Sequence, residues 1–233
     1  MDVNKAFTFV FDDERWITKV LIGSVLLFFS FLIVPVFFFA GYMIQIVRNV
    51  MDGLENPLPE WEEWGRLFKD GLVYTIAGLI YTLPIWILMC CSLIFFIPAA
   101  GVEGDIGEIL AGVGILSMIV VSCLMLLFVI ALALIGPAIA IQYARESTLS
   151  ATLRFSEVIG MTRDHIGDVL IVLLIILGLS FAISLPAAIP FVGWIITLAA
   201  SVYVGLVTGH FYGQIGAKVG GSPKEKAFDS PVE

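Results

Sequence analysis

All twelve Lys and Arg residues of this 233-residue chain fall into four clusters, and the apolar runs between the clusters carry none. The clusters are Lys5, Arg15 and Lys19; Arg48, Arg66 and Lys69; Arg145, Arg154 and Arg163; and Lys218, Lys224 and Lys226. Runs such as Gly71–Ala100 and Leu110–Tyr143 lack any basic residue. A helix needs about 20 apolar residues to cross a hydrocarbon layer ~30 Å thick, and several runs are long enough. They have no polar face of the kind a water-soluble helix keeps. Lys and Arg stay on the cytoplasmic side of membrane proteins, so the four clusters are expected on one common face. The composition agrees: 60 % of residues are hydrophobic and 14 % charged, against roughly 25 % charged in soluble domains.

The formal charge of −8 argues against nucleic acid as a partner, because phosphate binding needs a basic face. Three cysteines, Cys90, Cys91 and Cys123, lie inside apolar runs with no Cys/His spacing that would hold a metal. They are expected as buried free thiols, and no metal or cofactor is expected. The two histidines, His165 and His210, form no pair, and neither G-x-S-x-G, H-E-x-x-H nor a phosphate loop occurs. No enzymatic activity is expected and no catalytic residue is named. The first fifteen residues contain Asp2, Asp12, Asp13 and Glu14, unlike the basic start of a secretory signal. The first apolar segment is therefore expected to stay in the membrane.

The chain predicts an all-α, polytopic helical membrane protein built from three units, 4–50, 57–143 and 147–217, in one integral domain. Each unit starts with a mixed, interfacial amphipathic segment (Asn4–Trp16, Pro57–Phe68, Ser147–His165) and continues as apolar chain that returns to the basic side. The second and third units read as two crossings each. Their connections, Ala99–Gly107 and Pro186–Gly193, hold no Lys or Arg and belong on the outer side. In the first unit, Ile17–Val50 has Pro35 near its middle. One long tilted helix would place the N-terminus outside; two short arms of ~16 residues, about 24 Å each, would place it inside. The charge pattern favours the second arrangement, giving about six transmembrane segments as three hairpins with both termini cytoplasmic. Arms that stop short of the far interface would serve equally. Residues 218–233 are expected as a disordered cytoplasmic tail.

In the third mixed segment Ser147 is placed as N-cap, with Leu149, Leu153, Phe155, Val158 and Ile159 on one helical side. In the second, Glu60, Glu62 and Glu63 are expected to open a helix. Pro57 and Pro59 would fix its approach, and Trp61 and Trp64 would anchor it at the headgroups. In the last apolar run Ser201, Gly205, Gly209, Gly213 and Ala217 recur every fourth residue, a groove for close helix packing within the chain or with another copy. Beside it Tyr203, His210 and Gln214 follow helical spacing as a candidate polar site. Apolar chain otherwise free of buried charge argues against an ion-coupled transporter.

Gly41-Tyr42, Arg48-Asn49-Val50, Asp52-Gly53, Pro57-Leu58-Pro59-Glu60-Trp61, Trp64, Phe68 and Asp70-Gly71 together resemble a known family, "domain of unknown function 4013". So do the Pro190–Trp194 turn and the His210–Gln214 end. The resemblance implies a multi-pass cell-membrane protein of archaea or bacteria and brings no activity. The expected partners are the lipid bilayer and other copies of the chain or other membrane subunits. The expected role is structural: a subunit that oligomerises or joins a larger membrane complex. A transporter or channel for a small neutral or lipid-like solute, using Tyr74, Tyr81, Tyr203, His210 and Gln214, is the alternative. Membrane shaping is a third reading.

Overall fold

The computed structural model describes residues 1–99, 104–189 and 192–220. The described chain is helical: α1 (Val3–Thr8), α2 (Trp16–Phe28), α3 (Val34–Met51), α4 (Trp64–Ala99), α5 (Asp105–Glu146), α6 (Leu149–Thr152), α7 (Phe155–Asp164), α8 (Ile166–Ser184) and α9 (Val192–Lys218). Short 3₁₀ turns follow α2 (Phe29–Leu32) and α8 (Pro186–Ala188). Five helices, α3, α4, α5, α8 and α9, contain a stretch long and apolar enough to cross a membrane, while the Trp16–Leu32 stretch is shorter. The tail beyond residue 220 and the Pro190-Phe191 turn lie outside the described residues; Lys218, expected in the tail, is the last residue of α9.

Two compact units are formed, one by 1–77 and 134–233, the other by 78–133. In the first, α9 is the central element, with α2, α3 and α8 packed on it. The chain turns back between α2 and α3 at Ile33, whose φ of 65° is rare for a β-branched residue. Pro35 then sits in the first turn of α3, where its missing N–H costs nothing. α3 ends in a Schellman cap: Gly53 takes φ of 70° and Leu54 N–H bonds the Asn49 carbonyl.

α3 runs parallel to α9. Gly205 faces Phe39 and Met43, Gly209 faces Met43 and Ile46, and Gly213 meets Val47 and Val50. The four-residue stripe is thus filled by a helix of the same chain, which the repeat alone could not decide. Ser201 lies half-buried at one end of the stripe and Ala217 is exposed at the other. Inside a bilayer the gain comes from van der Waals contact along the bare helix backbone, not from water release.

In the second unit most of the described large apolar side chains of the α4 and α5 segments are exposed, among them Leu79, Leu83, Trp86, Ile87, Ile115, Leu126 and Leu127. Cys90 and Cys123 are exposed here rather than buried; the Cys91 side chain lies outside the described set.

Two mixed segments differ from the sequence expectation. Residues 52–63 form a loop, and α4 starts only at Trp64, so Glu60, Glu62 and Glu63 precede the helix. The third segment breaks between α6 and α7. Ser147 has φ of 54° and accepts a hydrogen bond from Arg48 instead of capping. Val158 is buried while Phe155 and Ile159 are exposed, so the apolar residues divide between two faces.

Candidate functional site

The residues that gave the family resemblance converge on one structure. The loop 52–63 lies over α2 and α3, and three successive carbonyls of its Pro57-Leu58-Pro59 stretch each accept a side-chain donor. Asn49 Nδ2 reaches Pro57 O at 2.9 Å, Lys19 Nζ reaches Leu58 O at 3.2 Å, and the Tyr42 hydroxyl reaches Pro59 O at 2.8 Å. Prolines suit this role: they hold the chain extended and bring no N–H that would need a partner. Gln45 Nε2 donates to Asn49 Oδ1 at 2.8 Å and orients that amide.

Trp61 plugs the loop into the core. Its ring stacks on Tyr42 with centroids 4.0 Å apart, and its indole N–H donates to the Lys19 carbonyl at 3.2 Å. The side chain is 8 % exposed, so Trp61 packs into the protein interior, whereas the sequence reading has it as an anchor at the headgroups. An amphipathic pattern does not distinguish these two environments, since both reward an apolar ring with a polar edge. Trp64 is partly exposed and packs on Trp61 and Phe38.

Two buried cations carry the charge balance. Lys19, 3 % exposed, lies 2.5 Å from Asp13 and 2.7 Å from Glu60, which also meets Arg15 at 2.9 Å. Arg48 and Asp70, 7 % and 6 % exposed, form an ion pair joining α3 to α4. Asp70 also accepts from the Tyr143 hydroxyl at 3.0 Å, and Arg48 donates to the Ala144 carbonyl at 3.1 Å and Ser147 Oγ at 3.0 Å. Beside this network α3 and α4 cross backbone to backbone. A Cβ on Gly41 would fall on the Leu67 carbonyl, and one on Gly71 on the Phe37 carbonyl. Sequence reasoning gave Arg48 and Asp70 no role. The available signal was a carboxylate at the very start of the Gly71–Ala100 run.

The predicted polar face of α9 is occupied by the N-terminal segment. Gln214 accepts from Asp2 N–H at 2.7 Å and donates to Asp2 O at 2.8 Å. Its amide nitrogen lies 3.1 Å from His210 Nδ1. His210 packs against Phe9 with ring centroids 4.5 Å apart, and the Tyr203 hydroxyl donates to Phe7 O at 2.8 Å. Asp2 in turn caps α1 through Lys5 N–H at 2.9 Å. A cavity of 330 Å³ remains beside this contact, between Lys5, Leu54, Gln214 and Lys218.

Elsewhere at the basic ends, Arg145 donates to the Gly216 and Gly220 carbonyls at 3.0 and 2.9 Å, closing the C-terminus of α9. Lys218 meets Asp168 at 2.7 Å. Arg154 lies 2.8 Å from Glu146, whose charge, with a smaller contribution from Glu157, holds the guanidinium above its ordinary value. Among the described residues no cluster of His, Cys, Asp and Glu could hold a metal ion.

Comparison with known proteins agrees with this architecture-bearing motif. "Uncharacterized protein MJ1189" of Methanocaldococcus jannaschii is 25 % identical over 183 residues, covering 75 % of this chain and 58 % of its own length. The chain thus spans little more than half of that relative. No solved structure matches. A family model described as "Protein of unknown function (DUF4013)" matches residues 28–192, which include the loop plug, both glycines of the α3–α4 crossing and the Arg48–Asp70 pair, and the chain belongs to that family.

Proposed function

We propose that this protein is a structural subunit of a membrane assembly, made of three helical hairpins with both termini on the basic, cytoplasmic face, and that it has no catalytic role. The observation that carries this reading is the contrast between the two units. In the first, the polar side chains of the motif described above, and Tyr203, His210 and Gln214 of α9, are engaged within the chain. In the second, most of the described large apolar side chains of segment 78–133 are uncovered, Tyr81 excepted, and Gly78 and Gly112 have nothing opposite them. Bare helix backbone invites the close approach of another helix. We place the partner, a second copy or another membrane subunit, on this segment and not on the glycine stripe of α9, which α3 already fills.

Cys123 gives a direct test, because it is exposed on this segment. In a C90A/C91A chain, membrane-permeant copper-phenanthroline applied to native membranes should oxidise Cys123 to a disulfide-linked product of twice the mass or a fixed heteromeric product, abolished by C123A. A particle that stays monomeric in mild detergent and in membranes, without such a product, overturns the reading. The solute-pathway alternative has less support, since Tyr203, His210 and Gln214 bind residues 2–9. Bilayer shaping is favoured by one observation, the uncovered Phe28–Val34 turn; vesicles whose size is indifferent to the protein would exclude it.

A further inference from the structure

The two turns at the end of the first unit opposite its charged groups are apolar. Between α2 and α3 the chain reads Phe28-Phe29-Ser30-Phe31-Leu32-Ile33-Val34, with Phe31 71 % exposed and no polar side chain except Ser30. Between α8 and α9, Leu185 and Ile189 are uncovered and Trp194 is 72 % exposed. Between these turns lies an almost wholly apolar cleft of 520 Å³, lined by Phe28, Phe31, Ala187, Trp194 and Leu198 among others. Turns that face water carry polar residues, because uncovered apolar surface there costs about 25 cal/mol per Å².

Two distances along the helices, taken from the level of Lys19, measure how deep these turns lie. From Lys19, held by Asp13 and Glu60, nine α-helical and four 3₁₀ steps lead to Leu32, about 21 Å. α9 gives a second measure. Gly23 of α2 packs on Val202 of the antiparallel α9, so Lys19, one turn before Gly23, is level with Leu206. From Leu206 to the start of α9 at Val192 is again about 21 Å. The rest of α9, down to Lys218, lies beyond the charged level and bears His210 and Gln214 against residues 2–9. The α8 side starts lower: Asp168 pairs with Lys218, about 18 Å beyond Leu206 along α9, and from Asp168 to Ala188 is about 31 Å. The two distances measured from the Lys19 level fall short of a hydrocarbon layer ~30 Å thick.

We propose that the first unit is a re-entrant wedge: it enters from the basic face, and both of its turns end inside the hydrocarbon, covered by lipid acyl chains, one of which fills the cleft between them. α9 is long enough to cross by residue count, but its lower half stands at the level of the charged N-terminal segment. The second unit has no such shortfall in length, since α4 from Gly78 to Ala99 alone measures about 33 Å. The inference rests on the hairpin reading given above and adds the depth of the turns.

The test uses the full chain in native membranes, with Cys90, Cys91 and Cys123 replaced by Ala and single cysteines introduced by S30C, A187C, E108C or D12C. A membrane-impermeant maleimide is applied to intact cells and to inverted vesicles. S30C and A187C should react at least tenfold more slowly than E108C from either face, and react fully in detergent. Labelling of S30C or A187C from the outer face at the rate of E108C would overturn the proposal. If S30C fails to accumulate, A187C tests the other turn by itself. D12C separates the two readings: modification from the outer face would defeat the hairpin topology, whatever Ser30 shows.

Discussion

Arg48 and Asp70, twenty-two positions apart, meet between α3 and α4 in an interior that leaves each less than a tenth of its surface. Gln45, Tyr143, Ala144 and Ser147 supply further hydrogen bonds. The pair therefore ties the α3–α4 crossing to the end of α5. Its attraction is offset by the cost of removing both charges from water, so its removal as a whole differs from the removal of one half.

Asp70→Asn leaves a buried guanidinium without its counter-charge. It should cost about 3–5 kcal/mol, read as a fall in thermal unfolding temperature in detergent. Arg48→Met should cost a similar amount. The double replacement Arg48→Met/Asp70→Leu should recover at least half of that loss; a double variant as unstable as the two singles added would show that the charges are needed for more than each other.

Gly41→Ala and Gly71→Ala each put a methyl group onto an opposing carbonyl of the α3–α4 crossing. Overpacking of this kind costs about 1–3 kcal/mol, and here backbone must move to relieve it. Gly78→Ala, with open space around it, should be neutral or slightly stabilising by helix propensity. Equal stability of all three variants would refute the close crossing.

Trp61 separates a plug from a headgroup anchor. Trp61→Ala should destabilise by about 3–5 kcal/mol. Trp61→Phe should cost less, since it keeps an aromatic ring beside Tyr42 and loses only the indole bond to Lys19 O. Brominated lipids should quench Trp61 little and Trp86, which is 56 % exposed, strongly, when each is the sole tryptophan of a chain whose other four are replaced by Phe.

Gln214→Leu removes both bonds to Asp2, and Tyr203→Phe removes the bond to Phe7 O. Each bond contributes about 0.5–1.5 kcal/mol, so hydrogen exchange of residues 2–9 should quicken by roughly tenfold in Gln214→Leu. Exchange in α3 should stay unchanged. Acceleration throughout α3 as well would mean that the N-terminal segment is part of the core, not a strap upon it.

The apolar runs were enough to place the long helices, because helix length is a local property; Pro35 left one long helix and two arms both open, and α2 and α3 part at Ile33. The four-residue spacing marked the face of α9 that packs, and Tyr203, His210 and Gln214 marked the face that hydrogen-bonds. What the spacing could not supply was the identity of the neighbours. Trp61 and Trp64 share a helical-looking interval, yet Pro57 and Pro59 keep the chain extended through Trp61 and the interval spans a loop end. The Arg48–Asp70 pair was invisible for a related reason: its two halves lie on different helices, and their meeting depends on the glycine crossing between them. Ser147 was misread as a cap because its hydroxyl is taken by Arg48, a partner ninety-nine positions away.

The parallel packing of α3 on the glycines of α9 joins two helices made far apart in the order of synthesis. Until α9 leaves the ribosome, Phe39, Met43, Ile46 and Val50 lack the surface they are shaped to meet. Contacts so distant along the chain form late, so the nascent protein must hold an incomplete first hairpin until α9 has been made. A chain cut before Val192 would present that unfilled side to lipid and chaperones, and the quality-control machinery of the cell would meet it as an unfinished protein.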